Sequence, residues 1–141
     1  MAKLSDTDYR ELADFRHALR CFLEFSENAA AAEGLTPQQH QALLVIRGSE
    51  GAVANIGRLA ARLKIRHNTA VELAQRLETA GLVTRTPDEQ DKRSVVLALT
   101  ALGSRKLETL TRTHRRELSQ LSPEILRLFR GLEESRKTPD R

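Results

Sequence analysis

The sequence predicts a mainly α fold interrupted by one β hairpin. Three observations predict it. Trp is absent and aromatics make up only 4% against a hydrophobic fraction of 40%, so the core is built from Leu, Val, Ile and Ala, a composition that favours helices. Apolar residues recur at three- and four-residue steps over most of the chain. Only "LVTRTPDEQDKRSVVLALT", residues 82–100, changes to a period of two, on both sides of a charged turn.

The elements follow in order. From Thr7 to about Ala32, the residues Leu12, Phe15, Leu19, Phe22 and Leu23 make one apolar stripe, with Glu, Asp and Arg on the other face. That is one long amphipathic helix. Gly34 ends it; Thr36 caps the next helix, Pro37 takes its first position and Gln39 closes a capping box. This second helix runs to Arg47. "GSEGAVAN" is a loop with room for a short strand at Val53. Beyond Asn55, one stripe of Ile56, Leu59, Ala60 and Leu63 and a second of Ala70, Leu73, Ala74, Leu77 and Ala80 flank "KIRHN". They make two short helices joined by a tight turn, with Gly81 just past the second. After the hairpin, Thr100 caps a long helix over 102–121, and Pro123 restarts a shorter one carrying Ile125, Leu126, Leu128, Phe129 and Leu132. The final "ESRKTPDR" reads as a frayed tail.

Charge and motif content narrow the function classes. The net charge of +4 and pI near 9.7 suit an anionic partner. No apolar run resembles a signal peptide or a membrane span, so a cytoplasmic protein is expected. Cys21 alone excludes an internal disulfide, and His17, His40, His67 and His114 show no metal-ligand spacing. Neither a phosphate loop nor a nucleophile elbow nor paired carboxylates in an apolar context is present, so no enzyme, cofactor or metal is expected. An enzymatic reading resting on Glu72 or His67 ranks far below, because nothing beside either would tune its pKa.

Helix, turn, helix and hairpin in this order form a winged helix, whose second helix can enter a major groove while the hairpin reaches a neighbouring minor groove or backbone. If Ala70, Leu73, Ala74 and Leu77 face the core, then Asn68, Thr69, Glu72 and Arg76 lie on the opposite face. Asn68 suits adenine, Thr69 a base or thymine methyl, and Arg76 a phosphate or guanine; Glu72 must accept from a cytosine amine or stand clear. Alternatively Asn68 or Thr69 caps the helix, with Thr69 and Glu72 as a capping box, and Arg76 is solvated. The strip from Arg58 to Arg76 holds Arg58, Arg62, Lys64, Arg66 and Arg76 against one acid, Glu72, the kind of patch that binds phosphates. In the turn, Asp88, Glu89 and Asp91 oppose Lys92 and Arg93. Asp91 can aim Arg93 by accepting from its guanidinium, which would suit a narrow minor groove, or the turn is simply solvated.

The run from "GLTPQQHQALLVI" through "IGRLAARLKIRHNTAVELAQRLETAGLVTR" to "DEQDKRSVVLALTALG" resembles the MarR (multiple antibiotic resistance regulator) family of bacterial winged-helix transcription factors, over roughly residues 35–115. The "RLETAGLVTR" ending, the "DKR" wing and the closing "LTALG" carry the resemblance. It implies a homodimeric regulator, a repressor by expectation, whose terminal helices interlock and whose recognition helices enter successive major grooves of a pseudo-palindromic operator. By position, Arg93 becomes the wing arginine, Asp91 its partner, and Arg66, His67, Asn68 and Thr69 the start of the recognition helix. The expected dimer contacts are Leu12, Phe15, Leu19, Phe22, Ile125, Leu126 and Phe129. The apolar faces of the first and last helices agree, being longer than a winged-helix core can cover. A two-fold partner would set the recognition helices about one duplex turn, ~34 Å, apart.

The resemblance also implies a small apolar or phenolic effector, or sensing through an oxidisable cysteine early in the first helix. Cys21 departs from that pattern by lying mid-helix, and on the stripe of Phe15, Leu19 and Phe22 it is expected to be a packed small hydrophobe. His40 either lines a pocket or sits at the surface or in the capping region. The expected organisation is an N-terminal dimerisation helix (1–34), a winged helix-turn-helix (35–100) with a two-stranded wing, and C-terminal dimerisation helices with a tail (101–141). The competing reading keeps the dimer but makes it a protein-interaction module that no longer reads DNA.

Overall fold

The computed structural model describes residues 3–137. Its elements are α1 (Asp6–Ala32), α2 (Pro37–Gly48), a 3₁₀ turn (Glu50–Ala52), β1 (Val53–Asn55), α3 (Ile56–Leu63), α4 (His67–Thr79), β2 (Val83–Pro87), β3 (Val95–Leu99) and α5 (Ala101–Lys137). The chain divides into two compact units, Ala29–Thr111 and Met1–Asn28 with Arg112–Arg141.

In the unit Ala29–Thr111, local chemistry sets each boundary. At the end of α1, Gly34 has φ +75°; its N–H reaches the Ala31 carbonyl at 2.9 Å while the Leu35 N–H reaches that of Ala30 at 2.9 Å, a Schellman end that a side chain would strain. Helix α2 opens on the expected capping box: the Gln39 N–H donates to Thr36 Oγ1 at 3.1 Å and the Thr36 N–H to Gln39 Oε1 at 3.0 Å. Asn55 caps α3 by accepting from the Arg58 N–H at 2.7 Å. The turn into α4 passes through Lys64 at φ 55°, a left-handed position held by a non-glycine residue.

Strands β2 and β3 pair antiparallel, forming the expected wing, and β1 adds on the other side of β3 to give the order β1-β3-β2. Leu97 stands opposite both Ala54 and Arg85. It is fully buried, and burying a leucine contributes roughly 1.5–3 kcal/mol. Around it the core gathers Leu43 and Ile46 from α2, Leu59 from α3, Leu77 from α4, Leu82 from the turn before β2 and Leu110 from α5, and among the described residues this cluster holds no Phe or Tyr. Helix α5 opens where Thr100 Oγ1 accepts from the Gly103 N–H at 3.1 Å and donates to the Gly81 carbonyl at 2.6 Å. His40 lies in this core at 5% exposure, which corrects the surface or capping reading: the histidine takes the inward face of α2 beside Ala42 and Leu43.

In the other unit, α1 begins with a reciprocal cap, the Ser5 N–H donating to Asp8 Oδ2 at 2.7 Å and the Asp8 N–H to Ser5 Oγ at 3.3 Å. The Ser5 backbone N–H first, and its hydroxyl second, hold the Asp8 carboxyl below its ordinary pKa. Phe15 meets Phe129 edge-on at 5.8 Å, and His114 lies edge-on to Phe22 and Phe25 with Nε2 2.7 Å from Ser26 Oγ. Two expectations are corrected in this unit. Helix α5 runs through Pro123 without a restart, because a proline removes one ladder bond while its neighbours keep theirs, and the Phe129–Phe15 contact holds the segment beyond it. Cys21 is exposed, with Sγ 3.5 Å from His17 Nε2, since it falls one position beside the stripe, next to Phe22 rather than on it. The expected frayed tail is helical as far as Lys137, and 138–141 lie outside the described residues. Among the described residues no helix is long and apolar enough to cross a membrane.

Candidate nucleic-acid interface

Helix α4 presents the residues that its sequence pattern assigns. Ala70, Leu73, Ala74 and Leu77 are buried, which turns Asn68, Thr69, Glu72 and Arg76 outward, and all four are exposed. The capping alternative is corrected. The helix begins at His67 on an Arg66 cap that makes no side-chain hydrogen bond, so Asn68 and Thr69 already sit inside the first turn. Their side chains are spared for something outside the helix. Arg58, Arg62, Lys64, Arg66 and His67 are exposed as well, and the turn at Lys64 gathers most of this charge between α3 and α4.

The wing turn is built from two Asx turns. Asp88 Oδ1 accepts from the Gln90 N–H at 3.0 Å and Asp91 Oδ1 from the Arg93 N–H at 3.0 Å; the Asp88 N–H and Ser94 N–H then close the loop on the Ser94 and Asp91 carbonyls at 3.0 and 2.9 Å. This corrects the expected bond from Asp91 to the Arg93 guanidinium. Two residues on, the main-chain N–H comes into reach first, so Asp91 shapes the backbone that carries Arg93. Asp91, Lys92 and Arg93 are all exposed.

Three further features are added by the structure. Arg85 shares the inner side of the wing with Leu97 through its register, its Nε is buried with no hydrogen-bond partner, and its Nη1 stands 3.9 Å from Glu78 Oε1 on α4. An inward charge on an edge strand also discourages strand-to-strand aggregation. Second, a cleft of about 420 Å³ opens between wing and helices, where Gly57, His67, Val71, Arg85, Arg93 and Ser94 meet. Third, Arg58 Nε donates to Ser49 Oγ at 2.6 Å, and that hydroxyl donates to the Val45 carbonyl at 2.6 Å. A period-two strand signal hints at the first through the position of Arg85; nothing in the sequence pairs Ser49 with Arg58. Among the described residues no group of three or more His, Cys, Asp or Glu could hold a metal ion.

The expected dimer residues are placed on the helices of the other unit. Leu12, Leu19, Leu126 and Phe129 are 42–60% exposed, as are Leu23 and Leu132 beside them, while Phe15, Phe22 and Ile125 are half-buried.

Residues 33–94 match the model of the MarR family. No curated protein matches the chain. Among solved structures it is similar to AbsC, a MarR family transcriptional regulator from Streptomyces coelicolor, at 22% identity over 97% of this chain and 94% of that one, with a TM-score of 0.75. It is similar to a MarR mutant from E. coli complexed with operator DNA, at 20% identity over 95% and 99% of the two chains, TM-score 0.68. An S. aureus MepR mutant bound to an oligodeoxyribonucleotide aligns at 20% identity over 94% and 96%, TM-score 0.66. The resemblance to the MarR family read from the sequence therefore holds over the winged-helix segment, and the fold is a MarR-type winged helix.

Proposed function

We propose that this chain, whose residues 33–94 match the MarR family, is a sequence-specific DNA-binding repressor that acts as a homodimer on a pseudo-palindromic operator. The observation that carries this reading is the outer face of α4: Asn68, Thr69, Glu72 and Arg76 are exposed above a fully occupied core face. They sit within a strip of five cations and one acid. Asn68 and Thr69 read base edges, Arg76 a guanine or phosphate, and Glu72 a cytosine amine. Arg58, Arg62, Lys64, Arg66 and His67 hold the backbone, while Arg93, carried by the Asp91 turn beside Lys92, reaches the minor groove. No step needs a catalytic group, and the cytoplasm is where such a protein would work.

Dimerisation is supported by the row Leu12, Leu19, Leu126 and Phe129, whose exposure in one chain is hard to reconcile with a monomer in water. Release by a small phenolic effector is part of the same proposal. In the wing cleft such a molecule would occupy the space lined by His67, Arg85 and Arg93 and compete with DNA for the same cations. A coupling of roughly 1–3 kcal/mol between effector and operator is enough for regulation.

A second reading rests on Glu72 and on the three acids Asp88, Glu89 and Asp91 of the wing turn, which repel phosphate and would suit a protein partner. One experiment separates the two. Fluorescence anisotropy against the DNA immediately upstream of the chain's own gene, and against a scrambled duplex, is run across a salt series. Selective binding with a steep salt slope and one dimer per site supports the repressor. Loss of that binding on charge reversal at Arg66, Arg76 and Arg93 excludes the interaction module, and its survival excludes the DNA reading.

A further inference from the structure

Arg58 occupies the first turn of α3, three residues after its Asn55 cap. A cation is out of place there. The N-terminal end of a helix carries a partial positive charge and favours anions, and among the described residues no carboxylate forms an ion pair with Arg58. Ser49, which accepts from the Arg58 side chain, is neutral, so the pairing does not relieve the charge. The side chain nevertheless does not roam. Its Nε donates to Ser49 Oγ at 2.6 Å, and Ser49, only 7% exposed, is itself locked by donating to the Val45 carbonyl at 2.6 Å. The Arg58 main chain is pinned as well, by the Asn55 side chain at 2.7 Å.

This arrangement occupies Nε and leaves the two terminal nitrogens, which can grip a phosphate bidentately end-on, for a partner outside the protein. The first helix of a helix-turn-helix is the one that crosses the DNA backbone. We infer that Ser49 is a positioning residue for phosphate recognition, its hydroxyl holding Arg58 with its terminal nitrogens free for a backbone phosphate beside the major groove. The inference rests on the DNA-binding function proposed above. Its physical content is preorganisation: an arginine already ordered in the free protein loses less rotamer freedom when it meets its anion.

The test is a double-substitution cycle on the full-length chain with Ser49→Ala, Arg58→Ala and both together, read by anisotropy on a fluorescein-labelled duplex of random sequence long enough for both half-sites. Phosphate contacts are sequence-independent, so no operator need be known. Arg58→Ala weakens binding and flattens the salt slope by about 0.9 for each phosphate released. Ser49→Ala weakens binding by roughly 2- to 10-fold in the native background and by nothing further in the Arg58→Ala background, while Ser49→Thr, which keeps the hydroxyl, binds as the native protein does. Melting temperatures run alongside. A Ser49→Ala protein that melts earlier but binds normally assigns Ser49 to packing alone and overturns the inference, as does an equal loss in both backgrounds. In either case the native protein still binds DNA and the proposed function stands. A native protein that binds no duplex overturns both.

Discussion

Adding a single methyl group to Gly103 is expected to destabilise this protein severely, although alanine is the better helix former. A Cβ at Gly103 would lie 2.2 Å from the Leu82 carbonyl oxygen, 3.1 Å from its carbon and 3.4 Å from its Cα. These are main-chain atoms that cannot rotate away. Since non-bonded heavy atoms settle near 3.5 Å, relief requires a displacement of about 1 Å. The Leu82 carbonyl accepts from the Thr100 N–H at 3.0 Å, and Thr100 bonds both the Gly81 carbonyl and the Gly103 N–H. Moving α5 away from Leu82 therefore loosens one or two hydrogen bonds, at about 1 kcal/mol each, on top of about 1–3 kcal/mol for overpacking a buried contact. The helix propensity of alanine returns about 1 kcal/mol. The net loss is about 1–4 kcal/mol, a fall in melting temperature of roughly 3–15 °C for a chain of this length. Urea unfolding and calorimetry at one fixed protein concentration measure it, because oligomer stability depends on concentration. Gly48→Ala is the control: nothing stands within 4 Å of a Cβ there, so the substitution is neutral or gains up to about 1 kcal/mol. A Gly103→Ala protein as stable as the native one would refute the close approach as the reason for this glycine.

Three other outcomes are expected. Phe129→Asp, and separately Leu126→Asp, place a charge on a residue 49% exposed in the single chain and yield monomers by sedimentation analysis; an unchanged dimer mass removes this face from the interface. Arg93→Ala reduces the slope of log affinity against log salt by about one, and a slope equal to the native one takes Arg93 off the DNA. Lys64→Gly relieves a left-handed residue at φ 55° and raises stability by about 0.5–1 kcal/mol, while the loss of its charge weakens DNA binding; a protein no more stable than the native one means that Lys64 bears no strain.

Local signals in this chain are read reliably where one residue type decides the outcome. The Thr36–Gln39 capping box, the Thr100 cap and the Gly34 and Gly81 helix ends all need one side chain or one backbone freedom at a set position, and all form as the sequence implies. Where neighbouring residues compete for the same role, sequence reasoning slips. Thr69 and Glu72 have the spacing of a capping box, but α4 starts two residues earlier. Asp91 could have met the Arg93 guanidinium, but the main chain offers its N–H first. Pro123 looks like a break, yet packing on Phe15 from beyond it keeps the helix whole.

Periodicity and composition by themselves determined the mainly α class, the wing, the core face of α4 and therefore the identity of the outward residues Asn68, Thr69, Glu72 and Arg76. These follow from the angular spacing of side chains within one element, which depends on residues close in sequence. Tertiary structure alone decided the rest. It put Arg85 on the inner side of the wing next to Glu78, brought Leu82 against Gly103, and joined Ser49 to Arg58 from different elements. Contacts of that kind depend on how elements dock, and docking is settled by the summed fit of the whole core rather than by any local run of residues.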